Sequence, residues 1–426
     1  MAESVTTQEA GEEKPKWRIV GPGIVAAATG VGAGDLVATA LAGSLYGYVL
    51  LWAAVLGCIF KIILVEGTGR WYLSTGKTIF QGWRSLGIWT SWYFGIYVVL
   101  WGFVYGASGM ASAALPLAAL FPAVPLNVFA IASGLVALVL VWFGKYGGLE
   151  KIMTVLVGIL FVSVVGSAIL AVPNLGGIMS GLVPRIPEGS MFYVLGIAGG
   201  VGGTITLAAY GYWLKEKGWS KPSWMRVMRI DNSVAYTVTG ILAVAMLIVG
   251  AELLYSANIA LSEGGDGLID LADVLAQRYG TVWSVIFLVG FWAASFSSLI
   301  GVWNGVSLMF ADFVVNFRKH PKDLSADKAP SSGSKQARAY MLWLTFPPML
   351  LLLAGKPFAI IVAYGVLGSL FMPFLAVTLL WLLNTKRVPK RWRNGPVSNV
   401  LLSLVALVFI VLGAQELYNQ IAALFA

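Results

Sequence analysis

The chain has a single cysteine, a single histidine and few charges, and each shortage removes a class of function. Cys58, set in an apolar stretch, cannot pair within the chain and says nothing about redox compartment. His320 falls in RKHPKDLSADKAPSSGSKQ, a polar stretch that reads as a mobile loop, where a surface role is expected rather than a proton relay. With no nucleophile–base pair, His/Cys cluster or phosphate loop, an enzyme is not expected. Charged residues make up 11% of the chain, against roughly a quarter in a soluble domain. What fills the space is apolar. Hydrophobic residues make up 58% of the chain, gathered in blocks near the ~20 residues a helix needs to cross a bilayer.

These blocks predict an all-α polytopic membrane protein with about eleven transmembrane helices, near 19–45, 49–69, 90–120, 125–143, 152–173, 192–213, 232–256, 281–315, 338–355, 358–384 and 398–422. The third and eighth are long enough to tilt or to project beyond the bilayer. The N-terminal tail, residues 1–18, is acidic before it turns basic and lacks the order of a cleavable signal.

Charge placement tests that division. With the N-terminus inside, only Arg185, Arg278 and Lys356 fall in outside loops, and Lys61 lies within the second span. The other 24 of the 28 Lys and Arg are inside. The positive-inside bias therefore puts the N-terminus in the cytoplasm and the C-terminus outside, in a plasma (inner) membrane. The net charge of +9 is a topology signal and not a nucleic-acid footprint. The outside loop near 257–280 is acidic, with Glu263, Asp266, Asp270 and Asp273.

Two glycine clusters interrupt the apolar pattern. The first span carries TGVGAGD, with Gly30, Gly32 and Gly34 followed by Asp35; the sixth carries AGGVGGT, with Gly199, Gly200, Gly202 and Gly203. Clustered glycine favours unwinding, because it leaves the backbone unrestricted. The first and sixth spans correspond if the chain is two inverted five-helix repeats, 19–185 and 186–385, plus an added segment, 386–426. A cytoplasmic loop at 316–337 lies within the second repeat. Paired interruptions at matching positions point to a substrate site in mid-membrane. Close helix packing is the plainer alternative.

Unwinding frees carbonyl oxygens, which in lipid need a partner. A cation can be that partner, and Asp35 adds a negative charge at the same place. The residues expected to meet a metal ion are thus Asp35, the backbone of Gly32 and Gly203, and Thr206. Gly30, Gly34, Thr204, Asn304 and Tyr210 are expected along the pathway, with Asn304 also suited to an interhelical hydrogen bond. Tyr210, Tyr212 and Trp303 can line a pocket or simply pack. Asp312 is expected in the interface at the cytoplasmic end of the eighth span, and Glu66 is expected to pair with Lys61.

At the first break the residues GPGIVAAATGVGAGDLVATALAGSLYGYVLLW resemble the first helix of the Nramp family of divalent-metal transporters. Weaker similarity lies in SFSSLIGVWNGVSLMFADFV and SLFMPFLAVTLLWLLN. The resemblance implies the inverted five-helix-repeat (LeuT-type) fold and transport of a divalent metal ion.

Departures from the family pattern sharpen this expectation. The family's Asp-Pro-Gly-Asn becomes Gly32-Ala33-Gly34-Asp35, and its Met-Pro-His falls on Thr206-Leu207-Ala208. The third-helix acids are absent from GASGMASAALP, and the tenth-helix glutamine falls near Phe371. Loss of a soft thioether weakens selection of transition metals over Mg²⁺. Loss of histidine and acids removes proton carriers. A hard ion such as Mg²⁺ or Mn²⁺, moved with little or no proton coupling, is the expected substrate, with no resident cofactor and the lipid bilayer as surroundings. A small organic solute on the same fold, or a homologue that no longer transports, stays open.

Overall fold

The computed structural model describes residues 21–200, 203–255, 265–324, 330–353 and 357–425; the side chains of 33–35, including the Asp35 carboxylate, lie outside that description. The tail at 1–18 and loop residue Glu263 also lie outside it. Among the described residues every regular element is a helix.

The first span is two helices, α1 (Pro22–Gly30) and α2 (Ala33–Tyr46), and α3 (Leu51–Thr75) follows. Gly76 ends α3 in the left-handed conformation at φ +63°, where its N–H bonds the Tyr72 carbonyl. The short α4 (Ile79–Leu86) was not expected. Its start is a capping box, in which Thr78 and Gln81 each satisfy the other's backbone N–H.

Next come the long α5 (Ile88–Leu120), α6 (Leu126–Phe143), α7 (Tyr146–Leu170) and a short α8 (Leu175–Gly181). The sixth span is again two pieces, α9 (Met191–Gly200) and α10 (Thr206–Glu216), followed by α11 (Met225–Leu253). Within the acidic loop lies α12 (Gly265–Tyr279), an amphipathic helix that buries Leu268, Leu271, Ala272 and Leu275 and leaves Asp273 exposed. The chain ends with α13 (Thr281–Asn316), α14 (Lys335–Leu352), α15 (Pro357–Asn384) and α16 (Pro396–Phe425).

Seven described helical stretches are long and apolar enough to cross a membrane. The second half of the first interrupted span joins α3 in one of these stretches, Leu36–Thr75, whereas the two pieces of the sixth, α9 and α10, are each too short. The helix α13 is the axis of the fold, packing against α5, α7, α1, α10 and α14. In lipid, helices gain little from excluding water from one another, so close backbone approach carries the packing. The α2–α11 pair shows this reciprocally. A Cβ on Gly43 would lie 2.2 Å from the Leu247 carbonyl oxygen, and one on Gly250 would lie 2.1 Å from that of Ala40. Glycine packing therefore exists here at glycines outside the two clusters, and at Gly203 within the second cluster as well.

Candidate functional site

The two breaks meet. The helix α1 stops at Gly30, and Val31 turns the backbone out to φ −104°, ψ 99°. In the second break Gly203 takes φ +89°, a left-handed value suited to glycine. A Cβ there would lie 2.9 Å from Gly30 Cα and 2.5 Å from Thr206 Oγ1. The contact between the interruptions thus depends on glycine at this position, where Gly30, Gly203 and Thr206 lie together and Thr204 follows Gly203 in the chain.

The first break is finished by α13. The last carbonyls of α1 have no partner inside their own helix. Ser298 Oγ donates to the Thr29 carbonyl at 2.8 Å, and Ser297 Oγ reaches the Ala28 carbonyl at 3.2 Å and that of Ala294 at 2.9 Å. The Tyr105 hydroxyl of α5 lies 3.0 Å from Ser298 Oγ. Gly301 makes room for this docking, since a Cβ there would fall 1.9 Å from Thr29 Oγ1. Neither serine was expected in the site. Their signal was a serine pair inside an apolar helix, in the quoted SFSS.

The second break is finished differently. Thr204 Oγ1 and Thr206 Oγ1 are buried and have no hydrogen-bond partner among the described residues. The Thr204 side chain is approached by Gly368 of α15, whose Cβ would lie 3.2 Å from its Cγ2. Two unfulfilled hydroxyl oxygens in a membrane interior are costly unless something binds them. Asp35 occupies the first turn of α2, immediately beyond the first break. The Thr204 and Thr206 hydroxyls thus offer neutral oxygens that a cation could use. Among the described residues no group of three His, Cys, Asp or Glu side chains could hold a metal ion.

Other expected residues lie elsewhere or are already engaged. The Gly32 carbonyl accepts the Leu36 N–H at 3.3 Å, so the first turn of α2 already uses it. Gly34 lies within α2. Asn304 Oδ1 accepts from Trp213 Nε1 at 2.9 Å, which ties α13 to α10. The Tyr210 hydroxyl donates to Asp231 at 2.9 Å, near the start of α1 and away from the break. Trp303 is held by Thr345 at 2.8 Å.

Two expectations are overturned. Asp312 is fully buried rather than solvated, and it accepts from Thr78, from Tyr212 at 2.7 Å and from Asn316. It is a structural hub that clamps α4 and α10 to α13. Glu66 pairs with Arg70 at 3.1 Å and Arg229 at 2.9 Å, and not with Lys61, whose ammonium lies over the Phe409 ring. Spacing explains this, because four residues bring Arg70 onto the face of Glu66 whereas five carry Lys61 off it. His320 is exposed, as expected, and its ring accepts from Lys322 N–H.

A family model described as "Natural resistance-associated macrophage protein-like" matches residues 23–419 of this chain. The chain belongs to the Nramp family. Its curated relatives include the divalent metal cation transporter MntH of Mycobacterium leprae, 26% identical, with 97% of this chain and 94% of that protein aligned. Among solved structures, a mutant of the Eremococcus coleocola manganese transporter superposes with a TM-score of 0.76 at 16% identity, over 95% of this chain and 87% of that one. A nucleobase-cation-symport-1 family transporter superposes with a TM-score of 0.60 at 15% identity, over 96% and 92%. This Nramp member therefore has the inverted-repeat transporter fold and is an integral membrane protein, and its relatives are named for transport rather than catalysis.

Proposed function

We propose that this Nramp protein carries divalent metal ions across the membrane, favours hard ions such as Mg²⁺ or Mn²⁺, and binds them where the two breaks meet. The observation that carries the reading is the pair of buried hydroxyls of Thr204 and Thr206, unpartnered among the described residues, beside the Gly30–Gly203 contact, with Asp35 five residues after Gly30 in sequence. Hydroxyl and carboxylate oxygens are hard donors, and Mg²⁺ commonly keeps several waters while binding through one or two carboxylates. Neutral oxygens around a single acid suit a partly hydrated ion of this kind. Relatives named as metal cation and manganese transporters support the substrate class.

In this reading the N-terminus lies in the cytoplasm and the C-terminus outside, by the positive-inside rule. Residues 19–185 and 186–385 form the two repeats, and alternating access comes from rocking one set of helices against the other. Proton coupling is weak or absent. The test is uptake of Mn²⁺ and Mg²⁺ into proteoliposomes holding wild type or Asp35→Asn. Wild-type uptake that collapses in the variant is expected. Uptake no greater than in empty vesicles would overturn the metal reading and turn the search to organic solutes.

A further inference from the structure

Two of the half-helices that flank the breaks, α1 and α10, are held very differently. The helix α10 is tied by side chains to three others: Tyr210 to Asp231 of α11, Tyr212 to Asp312 and Trp213 to Asn304 of α13, with Lys217 just beyond it paired to Glu150 of α7. The helix α1 is tied at its inner end by Ser297 and Ser298. At its outer end it is tied through the Gly23 N–H, which donates to Asp231 Oδ2 at 2.6 Å.

The approach of Asp231 is built into the sequence of α1. A Cβ on Gly21 would lie 2.3 Å from Asp231 Oδ1, and one on Gly23 would lie 2.8 Å from Oδ2. Glycine at both positions lets the carboxylate reach the open N–H groups that begin the helix, where the helix dipole also favours negative charge. Asp231 is itself buried. Behind this contact, Val25 through Gly30 are buried without interruption, so the path along α1 toward the breaks is closed on this side.

We propose that Asp231 is the positioning residue for α1: its carboxylate latches the start of the first broken helix to α11 and α10, and release of that bond lets α1 swing away and open the cytoplasmic path. The asymmetry of anchoring decides which half moves. Both halves pack against several helices, but among the described residues side-chain bonds tie α10 to three helices and the start of α1 to one carboxylate, so α1 is the half that leaves. The inference rests on the alternating-access reading, though not on which solute is carried.

The test reads accessibility without any added ion, so its failure is distinct from failure of metal uptake. Cys58 is replaced by serine, and single cysteines are placed at Ala26 or Ala27 on α1 and, as a control, at the buried Ala311 on α13. A membrane-impermeant maleimide is applied to the cytoplasmic face of inside-out vesicles. A hydrogen bond to a charged group is strong enough that Asp231→Ala should raise the labelling rate on α1 by about tenfold or more, with Ala311 unchanged. Asp231→Asn keeps an acceptor for Gly23 but loses the charge, and should give a smaller rise. It also keeps the test available if the alanine variant does not fold. Tyr210→Phe leaves the Gly23 bond intact and should label like wild type. No rise in either Asp231 variant that folds, or an equal rise at Ala311, would overturn the proposal.

Discussion

At the first break, the carbonyls of Ala28 and Thr29 are met by Ser297 and Ser298 of α13, so the unwound end of α1 is satisfied by protein. At the second, Thr204 and Thr206 bring hydroxyls into a buried place and leave them without partners among the described residues. The sequence marks both breaks with the same glycine clusters, yet they serve different ends. The first break is a structural joint, and the acid that the proposed reading uses, Asp35, follows it in sequence. The second is an unfinished donor set. A transporter site needs both: a fixed frame against which charge is positioned, and oxygens whose hydrogen-bonding capacity the protein has not consumed.

Substitutions should separate these roles, beginning with the contact the breaks share. Gly203→Ala places a methyl 2.9 Å from Gly30 Cα in a left-handed backbone. It should cost about 3 kcal/mol or more, from strain and overpacking together, and abolish uptake; thermal unfolding in detergent and transport assays read both. On the side of the joint, Ser298→Ala leaves the buried Thr29 carbonyl without its donor. A loss of ~1–3 kcal/mol in unfolding free energy is expected, and less for Ser297→Ala, because the Ser297 hydroxyl is already shared with Ala294.

The donor set should behave in the opposite way. Thr204→Val with Thr206→Val removes hydroxyls that have no partner among the described residues, so stability should change by less than ~1 kcal/mol or rise. Uptake of Mn²⁺ or Mg²⁺ should nonetheless fall about tenfold or more, the equivalent of ~1.4 kcal/mol of lost ion interaction. A double variant both less stable and fully active would reverse the comparison. The smallest effect is expected at Gly368→Ala, where a methyl would press on Thr204 Cγ2 from 3.2 Å. A shift in the uptake KM with stability changed by under ~1 kcal/mol would show that Thr204 position matters to the ion.

The helices were legible because lipid demands long apolar runs, and the breaks because glycine clusters have few other uses inside such runs. The residues that complete the site were harder to read. Ser297 and Ser298 look in sequence like any small polar pair in a membrane helix, and only the docking of α1 gives them carbonyls to meet. Asp231 stands close to Arg226 and Arg229, where an acid reads as part of a solvated interface. Asp312 was misread for the same reason: proximity to a helix end says nothing about what packs over it. The helix α12 was hidden by its acids, although Leu268, Leu271, Ala272 and Leu275 carried the helical spacing throughout. Thr78 and Gln81 likewise spelled a capping box ahead of α4.

The central claim, that the meeting of the breaks is a divalent-cation site charged by Asp35, is tested most directly by ligand-induced stabilisation of the purified protein. Thermal unfolding of wild type and Asp35→Asn would be followed across a titration of Mn²⁺ and of Mg²⁺, with Ca²⁺ and Na⁺ alongside. A saturable rise in Tm with Mn²⁺ or Mg²⁺ that disappears in Asp35→Asn is the predicted result, since an ion that binds only the folded state stabilises it by mass action. An unchanged wild-type Tm, or an equal rise in both proteins, would contradict the account.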